Sequence, residues 1–189
     1  MNRWNLLAPA YDRLRRAWPL NVILERELEN VRFLAGQVEQ EGKTILDLGT
    51  GTGVHLKVFN PQAKVIGLDQ SQRMALVGRS RCRAFILARA EHLPLKSRCI
   101  DIISAVGLLE YIRSEGKLLK ELYRVGNSSG YLLITSSPRG LFTFARLLTG
   151  AKINVRGASQ VIRSTDAAGY TLLRETKTFS QCAFLLRKR

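Results

Sequence analysis

Thr44-Ile-Leu-Asp47-Leu-Gly49-Thr50-Gly51-Thr52-Gly53 joins a short apolar segment to a loop with glycine at every second position. The first half reads as a buried strand bounded by turn signals. The glycines let the backbone turn sharply and approach a ligand without Cβ atoms in the way. A loop of this kind, standing between a strand and a helix, is where doubly wound α/β folds bind nucleotides. The dinucleotide fingerprint needs its third glycine one place later, where Val54 stands, and no phosphate-binding loop with its lysine is present. Ligands held through a phosphate are therefore disfavoured.

Outward from this loop, short apolar runs alternate with helix-compatible stretches. Lys64–Asp69, Ala84–Leu87, Ile100–Ala105 and residues 131–136 carry the same strand character. Residues 71–78 open with Ser71 as an N-cap, and residues 116–125 place Leu118, Leu119, Leu122 and Val125 on one face. A further helix is expected over 138–148, with Pro138 in its first turn and Gly150 as its stop. Ahead of the first strand, residues 10–40 read as helical, broken at Pro19. Residues 170–179 and 182–187 read as two strands separated by Ser180-Gln181, too close for a crossover helix, so they should pair antiparallel at a sheet edge. The expected fold is one α/β domain: a Rossmann-like, doubly wound, mostly parallel sheet with an antiparallel C-terminal edge hairpin. Within it, residues 1–40 are expected to form an N-terminal helical lid and residues 41–189 the ligand-binding domain.

A length of 189 residues with 46% hydrophobic and 24% charged residues is a globular, one-domain composition. No apolar run approaches the ~18 residues of a spanning helix. The opening ten residues hold too short an apolar stretch for a secretory signal. Three cysteines (Cys82, Cys99, Cys182), without a paired CxxC or a histidine cluster, argue against a disulfide scaffold or a metal site. A reduced, cytoplasmic protein is expected. Its charge is the outlier: thirty Lys+Arg against fifteen Asp+Glu give +15, and residues 139–189 carry +8 of it. Such a field favours anionic partners, whether a lipid surface or a nucleic acid, and is equally met in a merely solvated surface.

Asp69 stands at the carboxyl end of the second strand, where a carboxylate can accept both hydroxyl hydrogens of a ribose. Asp47 sits inside an apolar strand, a costly place for a carboxylate that is not satisfied. With these come an ordered set: Asp47-x-Gly-x-Gly-x-Gly53, Gly67-Leu-Asp69-Gln-Ser71-x-x-Met74, Ala90-Glu91-x-Leu-Pro94, Ile100-Asp-Ile-Ile, and Glu121-x-x-Arg124-Val125 closing on Gly130-Tyr-Leu-Leu-Ile. Over residues 40–136 this resembles the class I S-adenosylmethionine-dependent methyltransferases, nearest their quinone and phospholipid methyltransferase branch. Ala8-Pro-Ala-Tyr11-Asp12 resembles the N-terminal lid segment of that branch. The resemblance implies S-adenosyl-L-methionine as cofactor and no metal. Asp47 would orient the amino-acid end of the cofactor, with Gly49, Thr50, Gly51 and Gly53 passing close to its methionine moiety. Asp69 would hold the ribose, with Gln70 and Met74 against ribose and adenine. Ala90 and Glu91 would lie at the adenine edge, and Ala105 near the methionine backbone.

The chain departs from the family pattern at Arg89, where an aspartate usually accepts from the adenine amino group; a cation cannot accept that bond. Ile100 replaces an aromatic residue, Glu110-Tyr111 replace a frequent histidine pair, and Asn127-Ser-Ser-Gly130 keeps one glycine of a Pro-Gly-Gly turn. Methyl transfer from a sulfonium is an in-line displacement that depends mainly on alignment. A phenolic or carbon-acid acceptor would add a general base, for which Glu110, Tyr111 and Tyr11 are candidates. His55, early in the first helix, and His92 read as structural. Trp4, Leu6, Leu7, Tyr11, Trp18, Leu141, Phe142 and Phe144, with arginines around them, would suit a small lipophilic acceptor met at an anionic membrane. Two alternatives stay open: an RNA methyltransferase using the basic surface, and a non-catalytic partner protein that keeps the fold.

Overall fold

The computed structural model of the chain describes residues 13, 15, 17–138, 140 and 153–189. Seven strands form one sheet: β1 (Thr44–Leu48), β2 (Lys64–Asp69), β3 (Ala84–Leu87), β4 (Ile100–Ala105), β5 (Gly126–Ser136), β6 (Tyr170–Lys177) and β7 (Cys182–Lys188). Their order is β3-β2-β1-β4-β5-β7-β6. The first five run parallel, and β7 pairs antiparallel with both β5 and β6. The expected doubly wound sheet with its antiparallel hairpin is therefore present, with β6 as the edge strand and β7 enclosed. Between β1 and β4 the connections reverse direction, the place where such sheets open a crevice at the carboxyl ends of their strands.

Side-chain alternation sends the two strand faces to two cores. Helix α1 (Leu20–Ala35) lays Leu24, Leu28, Val31 and Leu34 on Ile45, Ile102, Leu133 and Leu185. The other face packs Leu46, Leu48, Ile103, Leu132, Ile134 and Phe184 under α3 (Glu115–Val125) and α4 (Ala158–Ala167), with Leu118, Leu122 and Val161 fully buried. α1 is thus a layer of the sandwich. It stops at Ala35, short of the expected 40, because Gly36 follows and the buried Gln40 amide donates to the Ala35 carbonyl at 2.7 Å. Short helix α2 (Gln72–Gly78) starts as expected at Ser71, whose Oγ accepts from the Met74 amide.

Three local features differ from expectation. After the glycine loop the chain makes a single 3₁₀ segment, Val54–Val58, where a first α-helix holding His55 was expected. Asn127-Ser-Ser-Gly130 lies within β5 as a bulge, where the register with β4 shifts between Ile100 and Ile102. Asp101 holds the bulge by accepting from Asn127 Nδ2 at 2.6 Å and from the Thr44 amide at 2.8 Å. Lys188, one of the basic residues of the C-terminal stretch, is buried and donates to the Tyr123 and Gly126 carbonyls at 2.6 and 2.8 Å, satisfying the C-terminal end of α3. The helix expected over 138–148 and Tyr11 with the Ala8–Asp12 segment lie outside the described residues, apart from Pro138 and Gly140.

Candidate active site

The glycine loop folds back on β2. The amides of Gly49 and Thr50 donate to the Leu68 carbonyl at 2.7 and 3.1 Å, and the Gly51 amide donates to Asp69 Oδ2 at 2.9 Å. Gly49, Gly51 and Gly53 have φ of +67°, +57° and +80°, a region that side chains rarely enter. The alternate glycines are therefore used for their conformation. Thr50 faces inward: its Oγ1 donates to the Asp47 carbonyl at 2.6 Å and accepts from the Leu68 amide at 3.0 Å. Its side chain stitches β1 to β2, and its amide holds the loop to β2 as well. Met74 is buried beneath the loop, its Sδ 3.9 Å from where a Cβ on Gly51 would stand. A Cβ on Gly78 would fall 2.4 Å from the Gly51 carbonyl oxygen, so α2 can rest on the loop only with glycine there.

Asp47 and Ser104 are register partners on adjacent parallel strands, and Ser104 Oγ donates to Asp47 Oδ1 at 2.7 Å. Ser104 was not foreseen, since a hydroxyl within an apolar strand carries no signal of its partner. Burial raises the Asp47 carboxyl to about 6, against the opposing pull of the Ser104 and Thr50 hydroxyls, and nearby Asp69 pushes it the same way. Such a carboxylate gains most from a cation brought against it. Asp69 is also raised by burial, with backbone amides opposing. Its Oδ1 accepts from the Ser71 amide at 2.8 Å, so its two oxygens brace both the loop and the start of α2. A carboxylate has about four lone-pair sites, which leaves acceptor capacity for a diol. Gln70 beside it is exposed.

Ala90 is buried just past β3, and Glu91 is largely covered, with the Arg89 guanidinium 3.7 Å from its carboxylate. Arg89 itself is 65% exposed, an outward placement that leaves the backbone of this turn as the acceptor. The turn is clamped from α3. Glu121 accepts from the Leu93 amide, while Arg124 donates to the Leu93 and Leu95 carbonyls at 2.9 and 2.7 Å and to both Glu121 oxygens. Arg124 holds the Glu121 carboxyl at about 2, well below its ordinary value. The Glu-x-x-Arg spacing of the sequence is thus a staple on the loop that borders Ala90 and Glu91.

Ala105 is fully buried at the end of β4. Beyond it, Glu110 is buried in the 3₁₀ turn Leu109–Tyr111 and accepts from Ser137 Oγ at 2.5 Å. This bond ties the segment after β4 to the end of β5. An exposed helix-start glutamate, the ordinary expectation, is not what stands here. Tyr111 is half-buried beside it. Arg156 braces the segment from behind, donating to the Leu109 and Ile112 carbonyls at 2.6 and 2.8 Å and pairing with Glu115 at 2.7 Å. Arg156 is buried, and nothing in its sequence neighbourhood points to that role. His55 is pushed down to about 3, by burial first and then by Arg15 and Lys57, which keeps it neutral and structural. His92 is exposed in the clamped loop. Among the described residues no group of three or more His, Cys, Asp or Glu side chains is placed to hold a metal ion.

Asp47, the three loop glycines, Asp69, Met74, Ala90, Glu91 and Ala105 therefore converge at the carboxyl ends of β1 to β4. Residues 46–134 match the family described as methyltransferase domain. The chain is 32% identical over 148 residues to a malonyl-[acyl-carrier protein] O-methyltransferase of Marinomonas, covering 71% of this chain and 52% of that protein. It is 33% identical over 142 residues to the demethylmenaquinone methyltransferase of Thermus thermophilus, covering 70% and 63%. The chain thus spans between about half and two thirds of the length of these relatives. Magnesium protoporphyrin IX methyltransferase of Synechocystis, solved with bound SAH, superposes with a TM-score of 0.78 at 16% identity, over 99% of this chain and 98% of that one, a likeness of fold. The cofactor of this family is S-adenosyl-L-methionine, and a backbone cradle kept clear by glycines, beside a buried carboxylate that favours a cation, fits it. By motif, strand order and sequence relatives, the chain carries over residues 46–134 a methyltransferase domain of the class I, S-adenosylmethionine-dependent kind.

Proposed function

We propose that this protein transfers a methyl group from S-adenosyl-L-methionine to a small, lipophilic acceptor. The observation that carries the cofactor assignment is the pairing of an inward carboxylate at Asp47 with a glycine loop hung on Asp69. In this reading Asp47 faces the ammonium of the amino-acid end, and Gly49, Thr50, Gly51 and Gly53 line it with backbone. Asp69 accepts from the ribose hydroxyls, with Gln70 and Met74 beside ribose and adenine. Ala90 and Glu91 border the adenine, and Ala105 the methionine end. When bound, the cofactor supplies a methyl group on a sulfonium, whose displacement is in line and releases a neutral sulfide. The protein's part is alignment and exclusion of water.

The acceptor side belongs to the carboxyl ends of β4 and β5. Glu110, held by Ser137, is the carboxylate there, with Tyr111 next to it; Tyr11 is the third candidate and lies outside the described residues. An acceptor with an acidic O–H or C–H would give its proton to Glu110. Of the aromatic set expected to cover the acceptor, Trp18 alone lies among the described residues, and it is 83% exposed just before α1. The helical lid expected over residues 1–40 therefore does not include α1, which packs on the sheet. Among the described residues no helix is long and apolar enough to cross a membrane, so contact with an anionic bilayer would be peripheral. The names of the two relatives supply two acceptors for the test, demethylmenaquinol and malonyl-[acyl-carrier protein], and the basic charge a third, total tRNA, with formation of S-adenosylhomocysteine measured for each. Turnover with the quinol, abolished by Glu110→Gln, is expected. Turnover with tRNA alone would replace this acceptor class with RNA.

A further inference from the structure

The β6–β7 turn lies at the same end of the sheet as the active site. Ser136, the last residue of β5, pairs with Cys182, which also pairs with Lys177, so residues 178–181 turn beside the carboxyl ends of β4 and β5. α1 enters β1 through its C-terminal end, so its N-terminal end points the same way. Asn30 donates to Gln181 Oε1 at 3.0 Å, which fixes the level of the helix against the turn. Residues 20–29 then continue past it, about 15 Å of helix at 1.5 Å per residue.

This end of the molecule carries a surface unlike the polar face of an ordinary helix. Val22, Arg26 and Phe33 recur at helical spacing on the outer face of α1, with Glu29 among them. Val22 is 47% exposed, Phe33 49%, Phe179 of the turn 51%, and Trp18 stands beyond the start of the helix. Arg26 lies over the Phe179 ring at 5.9 Å and Arg174 of β6 over the Phe33 ring at 5.8 Å. Each exposed phenyl ring thus carries a guanidinium, which puts apolar area and positive charge within one side chain's width. Of the other two acids of this stretch, Glu25 is engaged by Lys57 at 3.2 Å and the buried Glu27 by Arg15 at 2.8 Å.

We propose that the Trp18–Val22–Arg26–Phe179 surface, extended by Phe33 and Arg174, is where the protein docks on an anionic lipid bilayer. The proposal rests on the lipophilic-acceptor reading above and gives it a location: the rim of the active-site end. Exposed aromatic side chains sit at the headgroup level of a bilayer, and arginines above their rings meet the lipid phosphates. The net charge of +15 supplies long-range attraction to such a surface and opposes self-association through it.

The test is flotation of the full chain with vesicles of phosphatidylcholine, with and without phosphatidylglycerol, alongside calorimetric titration of each variant with S-adenosyl-L-methionine. The wild type should float with the anionic vesicles only. Arg26→Gln and Arg174→Gln should each reduce partitioning about fivefold. Val22→Ser with Phe179→Ser should reduce it about tenfold, and all variants should bind cofactor as the wild type does. Wild-type protein that binds cofactor but fails to float, or variants that float unchanged, would overturn the docking surface and leave the methyltransferase reading standing. Retained flotation with loss of tRNA binding in the arginine variants would reassign the surface to RNA. Loss of cofactor binding in the wild type would strike the methyltransferase reading itself.

Discussion

The two halves of the sheet do their positioning by different means. On the β1–β3 side the ligand cradle is made by neighbours in sequence: a glycine loop, the carboxylate that ends the next strand, and the helix capped by Ser71. On the β5–β7 side the corresponding surface is held by pairs far apart in the chain: Glu110 with Ser137, Arg156 with Leu109, Ile112 and Glu115, Lys188 with Tyr123 and Gly126. The first kind of geometry is fixed by local backbone demands and is written in residue spacing. The second depends on which distant segments meet, and the same residues would look like ordinary surface charge in another fold.

The sharpest break between the halves is Lys188. Its replacement by Met removes two charge-assisted bonds and leaves the buried carbonyls at the end of α3 unsatisfied, a loss of about 3 kcal/mol in urea unfolding. Cofactor affinity should hold, because the cradle is at the far side of the sheet. Unchanged stability would mean that these carbonyls find other donors. Gly78→Ala acts in the opposite half. Its Cβ would meet the Gly51 carbonyl oxygen at 2.4 Å, so the loop must shift. We expect about 2 kcal/mol of stability lost and weaker cofactor binding together. A variant that binds normally would show that α2 can move instead.

Asp69→Ala should weaken cofactor binding by about 2 kcal/mol, through the lost ribose bonds and the freed Gly51 amide. An unchanged Kd would place the ribose elsewhere. The smallest effect is one of pH. The Asp47 carboxyl is raised to about 6, so in the free protein it takes up a proton as pH falls through that value. Because its folded value lies above the unfolded one, the free protein gains stability from this group as pH drops from about 6 toward 4. Cofactor binding runs the other way, since an ammonium needs the ionised form. Affinity should fall about tenfold for each unit below 6, and Asp47→Asn should abolish that slope. A flat profile between pH 5 and 8 would remove Asp47 from the site.

Most of the fold was legible, for physical reasons that can be named. Each parallel strand is a short run of β-branched and apolar residues flanked by turn signals, and the two C-terminal strands lie too close together for any crossover. α4 was missed because only Val161 and Thr165 of its ten residues are buried, which leaves almost no apolar period to detect. The Asn127–Gly130 bulge was read as an eroded turn, since its hold by Asp101 depends on a residue across the strand pair. Among site residues, the glycines and Asp69 stood out by spacing. Ser104 and Arg156 became visible only through their partners. Glu110 was named from its place after the fourth strand, but its burial against Ser137 could not be.

The central claim is that the cradle between Asp47 and Asp69 binds S-adenosyl-L-methionine. Calorimetric titration of the purified protein with that cofactor, and with NADH as a control, tests it most directly. The account predicts one site per chain, saturable binding of S-adenosyl-L-methionine that weakens below pH 6, and no heat from NADH. Absence of binding at neutral pH in a folded protein, or equal binding of both ligands, would contradict it.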